Sequence, residues 1–346
     1  MMAPVLSSPY TDGRAVTTKD MKVISFSRIA EKDPREVARL LSAAENEGFF
    51  YLDLAGKESN GLWEKYMNCL SLMAQWFEKP TEEKAKFAYN SDTYGYKHLG
   101  AQAGPVENSK DGFETMRVAP TNIATSAAEP MPAAVTDNAE LMADFINVSR
   151  FHVTTLLSAF SDAHELKGAA RYENFHQDAA PSNSSLSFHR YPKCSTISTQ
   201  NVGHNKHTDA GTLTVLFATQ WGLQVQCPGK QGEEEWEWVR PMPGYAICNV
   251  GDSLRFLSSM KLRSIVHRVV PSADQEQGHR YSVGWFARPA HGTKFLDSEG
   301  RIIRSDEWFS QKFDVMRGTH AEQRGNTLLT GGMEDVAQRT KVEVSV

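Results

Sequence analysis

Eight short segments rich in β-branched and aromatic residues crowd residues 186–287, helical periodicities precede them, and one further helical stretch follows. Together they predict a mainly β protein with flanking helices: a double-stranded β-helix, or jelly-roll, core with an N-terminal α/β cap region. The segments are 186–191, 212–217, 223–226, 236–239, 245–249, 254–258, 264–270 and 280–287, separated by Gly, Pro and charged turns. Strands this short at this spacing imply a sandwich or barrel, and eight fit two packed sheets.

The elements follow in order. Residues 1–20 are polar and carry Pro and Gly, the texture of a loosely tethered arm. Residues 21–185 form a helical and mixed region packing on the core. It begins with a short strand, Val23-Ile24-Ser25-Phe26. Asp33-Pro34-Arg35-Glu36 then supplies a cap, Pro at the first helical position and an acidic first turn, and Val37, Leu40, Leu41 and Ala44 recur at helical spacing. Gly48-Phe49-Phe50-Tyr51-Leu52 reads as a buried strand, Leu62 to Phe77 as a helix, and Thr81 as the cap of another. Residues 93–100 and 111–117 are loop stretches, the second leading into a strand. Residues 137–167 carry Leu141, Phe145, Val148, Val153, Leu156, Leu157 and Phe160 in one stripe, a core-facing helix. Residues 186–290 hold the β core, and 291–346 a helix around Ser305 to Met316 with a polar tail.

Composition narrows the function. With 40% hydrophobic and 23% charged residues the chain is an ordinary globular protein, and a net charge of −5 gives no basic field for nucleic acid or an anionic membrane. No apolar run reaches membrane-spanning length. Cys69, Cys194, Cys227 and Cys248 are isolated, as in a reducing compartment, so the cytoplasm is the expected address and oligomeric state stays open.

The chemistry sits at His207-Thr208-Asp209, directly ahead of the apolar run Leu213-Thr214-Val215-Leu216-Phe217. If the strand begins there, His207 and Asp209 project from one face. Two such ligands and one further imidazole make the 2-His-1-carboxylate face that suits Fe(II) with open positions. The tripeptide alone is weak: with 11 His in the chain, chance nearly supplies one, and His176-Gln177-Asp178 is a decoy followed by loop residues. A lone His such as His267, inside Ser264-Ile265-Val266-His267-Arg268-Val269-Val270, is more often a satisfied core residue than a ligand. Its weight rises because His279-Arg280-Tyr281-Ser282 follows, with Arg280 and Ser282 at same-face spacing. A guanidinium fork and a hydroxyl on one face form a clamp for a carboxylate.

H-x-D, a distal His and R-x-S, in that order within a jelly-roll pattern, resemble the Fe(II)- and 2-oxoglutarate-dependent oxygenases of the isopenicillin N synthase-like superfamily, over roughly residues 21 to 290. Further stretches resemble family segments: Ala43 to Phe50, Trp76 to Lys84, Tyr191-Pro192-Lys193-Cys194, Trp221-Gly222-Leu223-Gln224 and Asn249-Val250-Gly251-Asp252. The resemblance implies that His207, Asp209 and His267 hold Fe(II), that Arg280 and Ser282 bind the far carboxylate of 2-oxoglutarate with Tyr191 adding a hydroxyl, and that O2 is the oxidant. His189 stands where plant members often carry Asn and, sharing a face with Tyr191, is a further candidate for the cosubstrate or substrate pocket.

By the same resemblance the substrate is a small organic molecule of specialised metabolism, oxidised at a C–H bond by hydroxylation, desaturation or ring rearrangement. Plant flavonoid members point to Phe286 and Arg288 as pocket residues, an Arg there suiting an acidic or phenolic compound. Tyr94, Tyr96, Phe113, Met116, Arg117 and Arg190 are further candidates, although alternation turns Arg190 away from Tyr191. The competing readings are an Fe(II) oxidase of the same fold that needs no 2-oxoglutarate, and a non-catalytic jelly-roll binding protein. A zinc hydrolase lacks any H-E-x-x-H arrangement to supply its base.

Overall fold

A computed structural model of the chain describes residues 8–10, 13–88, 91–104, 109–124, 130–177, 180–194, 203–228, 234–324 and 326–333. β1 (Val23–Ser25) runs parallel to β2 (Phe49–Asp53), with α1 (Phe26–Ala30) and α2 (Pro34–Asn46) between them. The α2 start matches the sequence expectation: Pro34 opens the helix, and the Asp33 carboxylate accepts the Arg35 N–H at 2.9 Å. After α3 (Leu62–Phe77) comes α4 (Thr81–Ala85), where Thr81 is the first helical residue and not the cap. Pro80 takes the cap position and offers no side-chain bond. β3 (Gly95–Lys97) arises inside the stretch read as a loop, pairing with β4 (Glu114–Val118). Then come α5 (Pro120–Ala124), α6 (Ala133–Thr136) and α7 (Ala139–Ala163), the last shorter than the 137–167 expected.

The β-rich half runs β5 (Ser185–Tyr191), β6 (His204–His207), β7 (Leu213–Phe217), β8 (Leu223–Pro228), β9 (Glu234–Trp238), β10 (Tyr245–Val250), α8 (Asp252–Leu257), β11 (His267–Val269), α9 (Asp274–Gln277) and β12 (Arg280–Ala287). A hairpin of β13 (Lys294–Leu296) and β14 (Ile302–Arg304) leads into α10 (Ser305–Arg317) and α11 (His320–Arg324). An eight-stranded sheet, in the order β1-β2-β10-β7-β12-β5-β4-β3, faces a four-stranded sheet, β6-β11-β8-β9. The pair forms the jelly roll, and apolar side chains from both sheets, among them Phe49, Tyr191, Val225 and Ile247, pack between them.

Strand alternation sorts the large sheet into a helix-facing and a cavity-facing side. On β12, Val283, Trp285 and Ala287 join the main core beneath α3 and α7, which also takes in Leu186 and Phe188 of β5. Arg280, Ser282 and Phe286 turn the other way, with Ser187, His189 and Tyr191 beside them.

Three further expectations need correction. Residues 254–258 form no strand: Leu254 and Phe256 mimic alternation, but Arg255 N–H reaches Gly251 O at 3.1 Å and Ser258 N–H reaches Leu254 O at 2.9 Å, the ladder of a helix. The strand expected over 264–270 shrinks to β11, with a register shift between His267 and Val269. The N-terminal arm is docked where described, its Thr17 and Lys19 bonding the backbone of Trp238 and its Tyr10 ring 5.9 Å from that indole. Among the described residues no helix is long and apolar enough to cross a membrane.

Candidate metal centre and its cavity

His207 and Asp209 do not share a strand. β6 ends on His207, a polar H-N-K-H strand without apolar alternation to announce it, and Asp209 sits in the connection to β7. That connection is fixed by long-range backbone bonds: Thr208 N–H to Leu329 O at 2.9 Å, Asp252 N–H to Asp209 O at 2.7 Å and Gly251 N–H to Thr212 O at 2.8 Å. The approach is close enough that a Cβ on Gly251 would lie 2.3 Å from Gly211 O, so only glycine fits there. His267 opens β11 directly opposite His207 in the antiparallel register.

These three side chains converge. One ligand atom from each of His207, Asp209 and His267 lies within 4.8 Å of the others, and no other such His, Cys or carboxylate group occurs among the described residues. Each is at most 7% exposed. The other heteroatoms are occupied from behind. His207 Nδ1 pairs with Asn205 O at 2.8 Å and His267 Nδ1 with Ile265 O at 3.1 Å, so both rings present Nε2 to the centre. Asp209 Oδ2 accepts from Thr214 Oγ1 at 2.6 Å and Asn249 Nδ2 at 2.7 Å, leaving Oδ1 at 3.7 Å from His207 Nε2 and 3.9 Å from His267 Nε2. Burial, then the neighbouring His267, lowers the pKa of His207 and keeps its imidazole neutral. Burial pushes the Asp209 carboxyl up, yet His267, His207, Asn249 and Thr214 together hold it below its ordinary value. Two imidazoles that present Nε2 and one carboxylate that presents Oδ1 are the donor set that suits a divalent iron.

Next to the trio, Arg280 is wholly buried on β12 and paired in register with Tyr191. Its Nε–H donates to Trp221 O at 2.8 Å, and its Cζ lies 4.7 Å from the Tyr191 ring centre. Nη1 and Nη2 have no hydrogen-bond partner among the described residues. Gly222, at φ +144, makes room for that guanidinium, since a Cβ there would meet Arg280 Nε at 2.5 Å. Ser282 lies opposite His189, whose pKa is pushed down to about 3 by burial and by Arg117, Lys97 and Arg280. His189 Nδ1 is likewise buried without a partner among the described residues. A planar cationic fork with open N–H groups, a hydroxyl and a phenol at one end of the cavity suit a carboxylate.

The cavity has an empty volume of about 930 Å3 including its open mouth, and it brings together the trio, Arg280, Ser282, Tyr191, His189, Phe286, Arg288 and Arg117. The other candidates stand elsewhere. Arg190 donates to Phe77 O and pairs with Glu114 at 3.2 Å, on the opposite face. Tyr96 donates its hydroxyl to Glu114, Met116 is buried in the main core, and Tyr94 is half-buried outside the lining. Phe113 backs the cavity wall, its ring 5.4 Å from Tyr191 and 4.6 Å from His204. The decoy His176 lines a separate cavity behind Trp285, and its Asp178 lies outside the described residues.

Sequence reasoning missed the contribution of α10. Lys312, Phe313 and Met316 line the cavity, and Lys312 Nζ donates to Thr208 Oγ1 at 2.6 Å and pairs with the fully buried Asp252. The available signal was a Lys on the apolar face Phe309–Phe313–Met316, spaced three and four residues apart.

Comparisons with known proteins agree with this geometry. Residues 182–289 match the 2OG-Fe(II) oxygenase superfamily, and residues 21–134 the N-terminal model described as non-haem dioxygenase in morphine synthesis. A 2-oxoglutarate-dependent dioxygenase of Gibberella zeae is 37% identical over 334 residues, covering 96% of this chain and 99% of that protein. One from Glarea lozoyensis is 36% identical, covering 90% and 92%. Among solved structures, a full-length Neurospora crassa protein in complex with alpha-KG superposes with a TM-score of 0.69 at 20% identity, covering 87% of this chain and 99% of that one. JOX2 in complex with 2OG, Fe and JA gives 0.64 at 20% identity, covering 92% and 91%.

Proposed function

The chain belongs to the 2OG-Fe(II) oxygenase superfamily and is a non-haem, 2-oxoglutarate-dependent dioxygenase; from that premise we propose that His207 Nε2, His267 Nε2 and Asp209 Oδ1 hold the iron and that Arg280 and Ser282 anchor the cosubstrate. The observation that carries this is the meeting, in one buried cavity, of three ligand atoms within 4.8 Å and a guanidinium whose two Nη groups have no partner among the described residues.

When bound, iron supplies the oxidation chemistry, in which O2 and 2-oxoglutarate become succinate and CO2 while a substrate C–H bond is oxidised. The protein's own residues prepare for it. The backbone carbonyls of Asn205 and Ile265 fix the His207 and His267 rings, and Thr214 with Asn249 aims Asp209. Arg280, held by Trp221 O and by the Tyr191 ring, offers its Nη groups to the distal carboxylate of 2-oxoglutarate, with Ser282 and Tyr191 as hydroxyl partners. His189 is kept neutral by burial and presents Nδ1 to the cosubstrate or substrate. Phe286, Arg288 and Arg117 line the part of the cavity left for a small organic substrate, acidic or phenolic. Cys69, Cys194, Cys227 and Cys248 form no disulfide among the described residues, which supports a reducing, cytoplasmic setting.

The test is succinate formation. Purified enzyme with Fe(II), O2 and 2-oxoglutarate is expected to form succinate above a metal-free control, accelerated by the substrate. Turnover of an organic substrate without succinate would instead favour an Fe(II) oxidase of the same fold.

A further inference from the structure

Building on the metal and cosubstrate reading above, we infer that Arg288 and Arg117 form a second anion site in the cavity, which binds a carboxylate of the organic substrate, so that the enzyme acts on an organic acid in its ionised form. The first support is charge balance. Arg117, Arg280, Arg288 and Lys312 line the cavity, against Asp209 as the one lining carboxylate among the described residues. Lys312 is answered by Asp252. Arg280 faces the cosubstrate end. Arg288 and Arg117 remain, and neither has a carboxylate within ion-pair distance among the described residues.

The second support is how Arg288 is built in. It is only 7% exposed, at the end of β12 opposite Arg280, and Asn183 O and Ser185 Oγ, the latter at 3.1 Å, accept from Nη1. Nε is buried with no partner among the described residues. Aromatic rings flank the guanidinium, with Cζ 5.5 Å from the Phe286 centre and 4.7 Å from Phe309. Phe313 is shared, its ring centre 6.0 Å from Arg288 Cζ and 5.6 Å from Arg117 Cζ. Burial, then the like charge of Arg117, brings the Arg288 pKa down to about 9, and the more distant carboxylates of Asp209 and Asp92, the latter ion-paired with Arg317, offset this only in part. A buried cation so repelled is costly unless an anion answers it.

The chemistry of that anion follows. A phenol, with an ordinary pKa of about 10, enters neutral at pH 7 and leaves the charge uncompensated, whereas a carboxylic acid, with one of about 4, enters ionised. A carboxylate also matches the planar fork of an arginine. Arg280 opens β12 and Arg288 follows its last residue, and both line the cavity that holds the trio, so a substrate held by its carboxylate at Arg288 shares that cavity with the metal centre.

Wild-type enzyme loaded with Fe(II) and saturating 2-oxoglutarate, without O2, can be titrated calorimetrically with benzoate, benzamide and phenol. Benzoate should bind at least about tenfold more tightly than either neutral probe, and Arg288→Gln and Arg117→Gln should each erase about tenfold or more of that preference. Arg288→Lys, which keeps the charge, should retain most of it. Benzamide or phenol binding as tightly as benzoate, no benzoate binding by the wild type, or an intact preference in both Gln variants would overturn the inference. Succinate formation by the wild-type enzyme reports on the metal and cosubstrate reading separately, so the two can fail independently.

Discussion

The metal trio and the arginine walls of the same cavity are finished to different degrees. Around His207, Asp209 and His267, each heteroatom turned away from the centre already has a protein partner, from Asn205 O, Ile265 O, Thr214 Oγ1 or Asn249 Nδ2. At Arg280 and Arg288 the protein satisfies one side of each guanidinium and leaves buried N–H groups open. The difference separates what the fold must preorganise from what small molecules complete. Metal ligands have to be aimed before iron arrives, because the ion offers little other guidance. The arginine forks need only be desolvated and held flat, since their partners bring complementary geometry with them.

Perturbing each side should therefore give different signatures. Asp209→Ala removes a proposed ligand, and both stoichiometric Fe(II) binding and succinate formation should be lost, the rate falling by roughly 1000-fold or more. Anaerobic metal titration with a succinate assay checks this; retained iron binding would break the contrast at its strong end. Arg280→Gln removes the fork and should raise the KM for 2-oxoglutarate roughly 100-fold while leaving Fe(II) affinity close to wild type. A parallel loss of iron would show that the two regions are not separable. Asn249→Leu leaves the ligands intact but takes one of the two donors from Asp209 Oδ2, and Fe(II) affinity should weaken by about tenfold, with the KM for 2-oxoglutarate little changed. Competition with a calibrated chelator measures that smaller effect.

What the sequence made legible tracks locality. The order H-x-D, His267, R-x-S marked the residues that meet in the cavity, and alternation on β12 placed Arg280, Ser282 and Phe286 on one face. The H-x-D geometry misled, because two residues apart suggested one strand, whereas Asp209 is aimed from a loop pinned to Leu329 and Asp252. Thr214 and Asn249 were silent because their role exists only once β7 and β10 pair, with Asn249 opposite Thr214. The helix containing Lys312 was foreseen but not its place, since an amphipathic pattern shows that a face is buried and not what it covers. Arg190, Tyr96 and Met116 show the converse: alternation turns Tyr96 and Met116 into the main core and Arg190 toward Glu114, away from the cavity.

In the proposed function iron and 2-oxoglutarate share one cavity, iron at the trio and the cosubstrate at Arg280. Equilibrium binding of 2-oxoglutarate to wild-type protein, without O2 and with Fe(II) either present or removed by chelation, tests this most directly. One cosubstrate per chain, bound at least about tenfold more tightly with Fe(II) present, is the predicted result. A 2-oxoglutarate affinity indifferent to Fe(II) would contradict it.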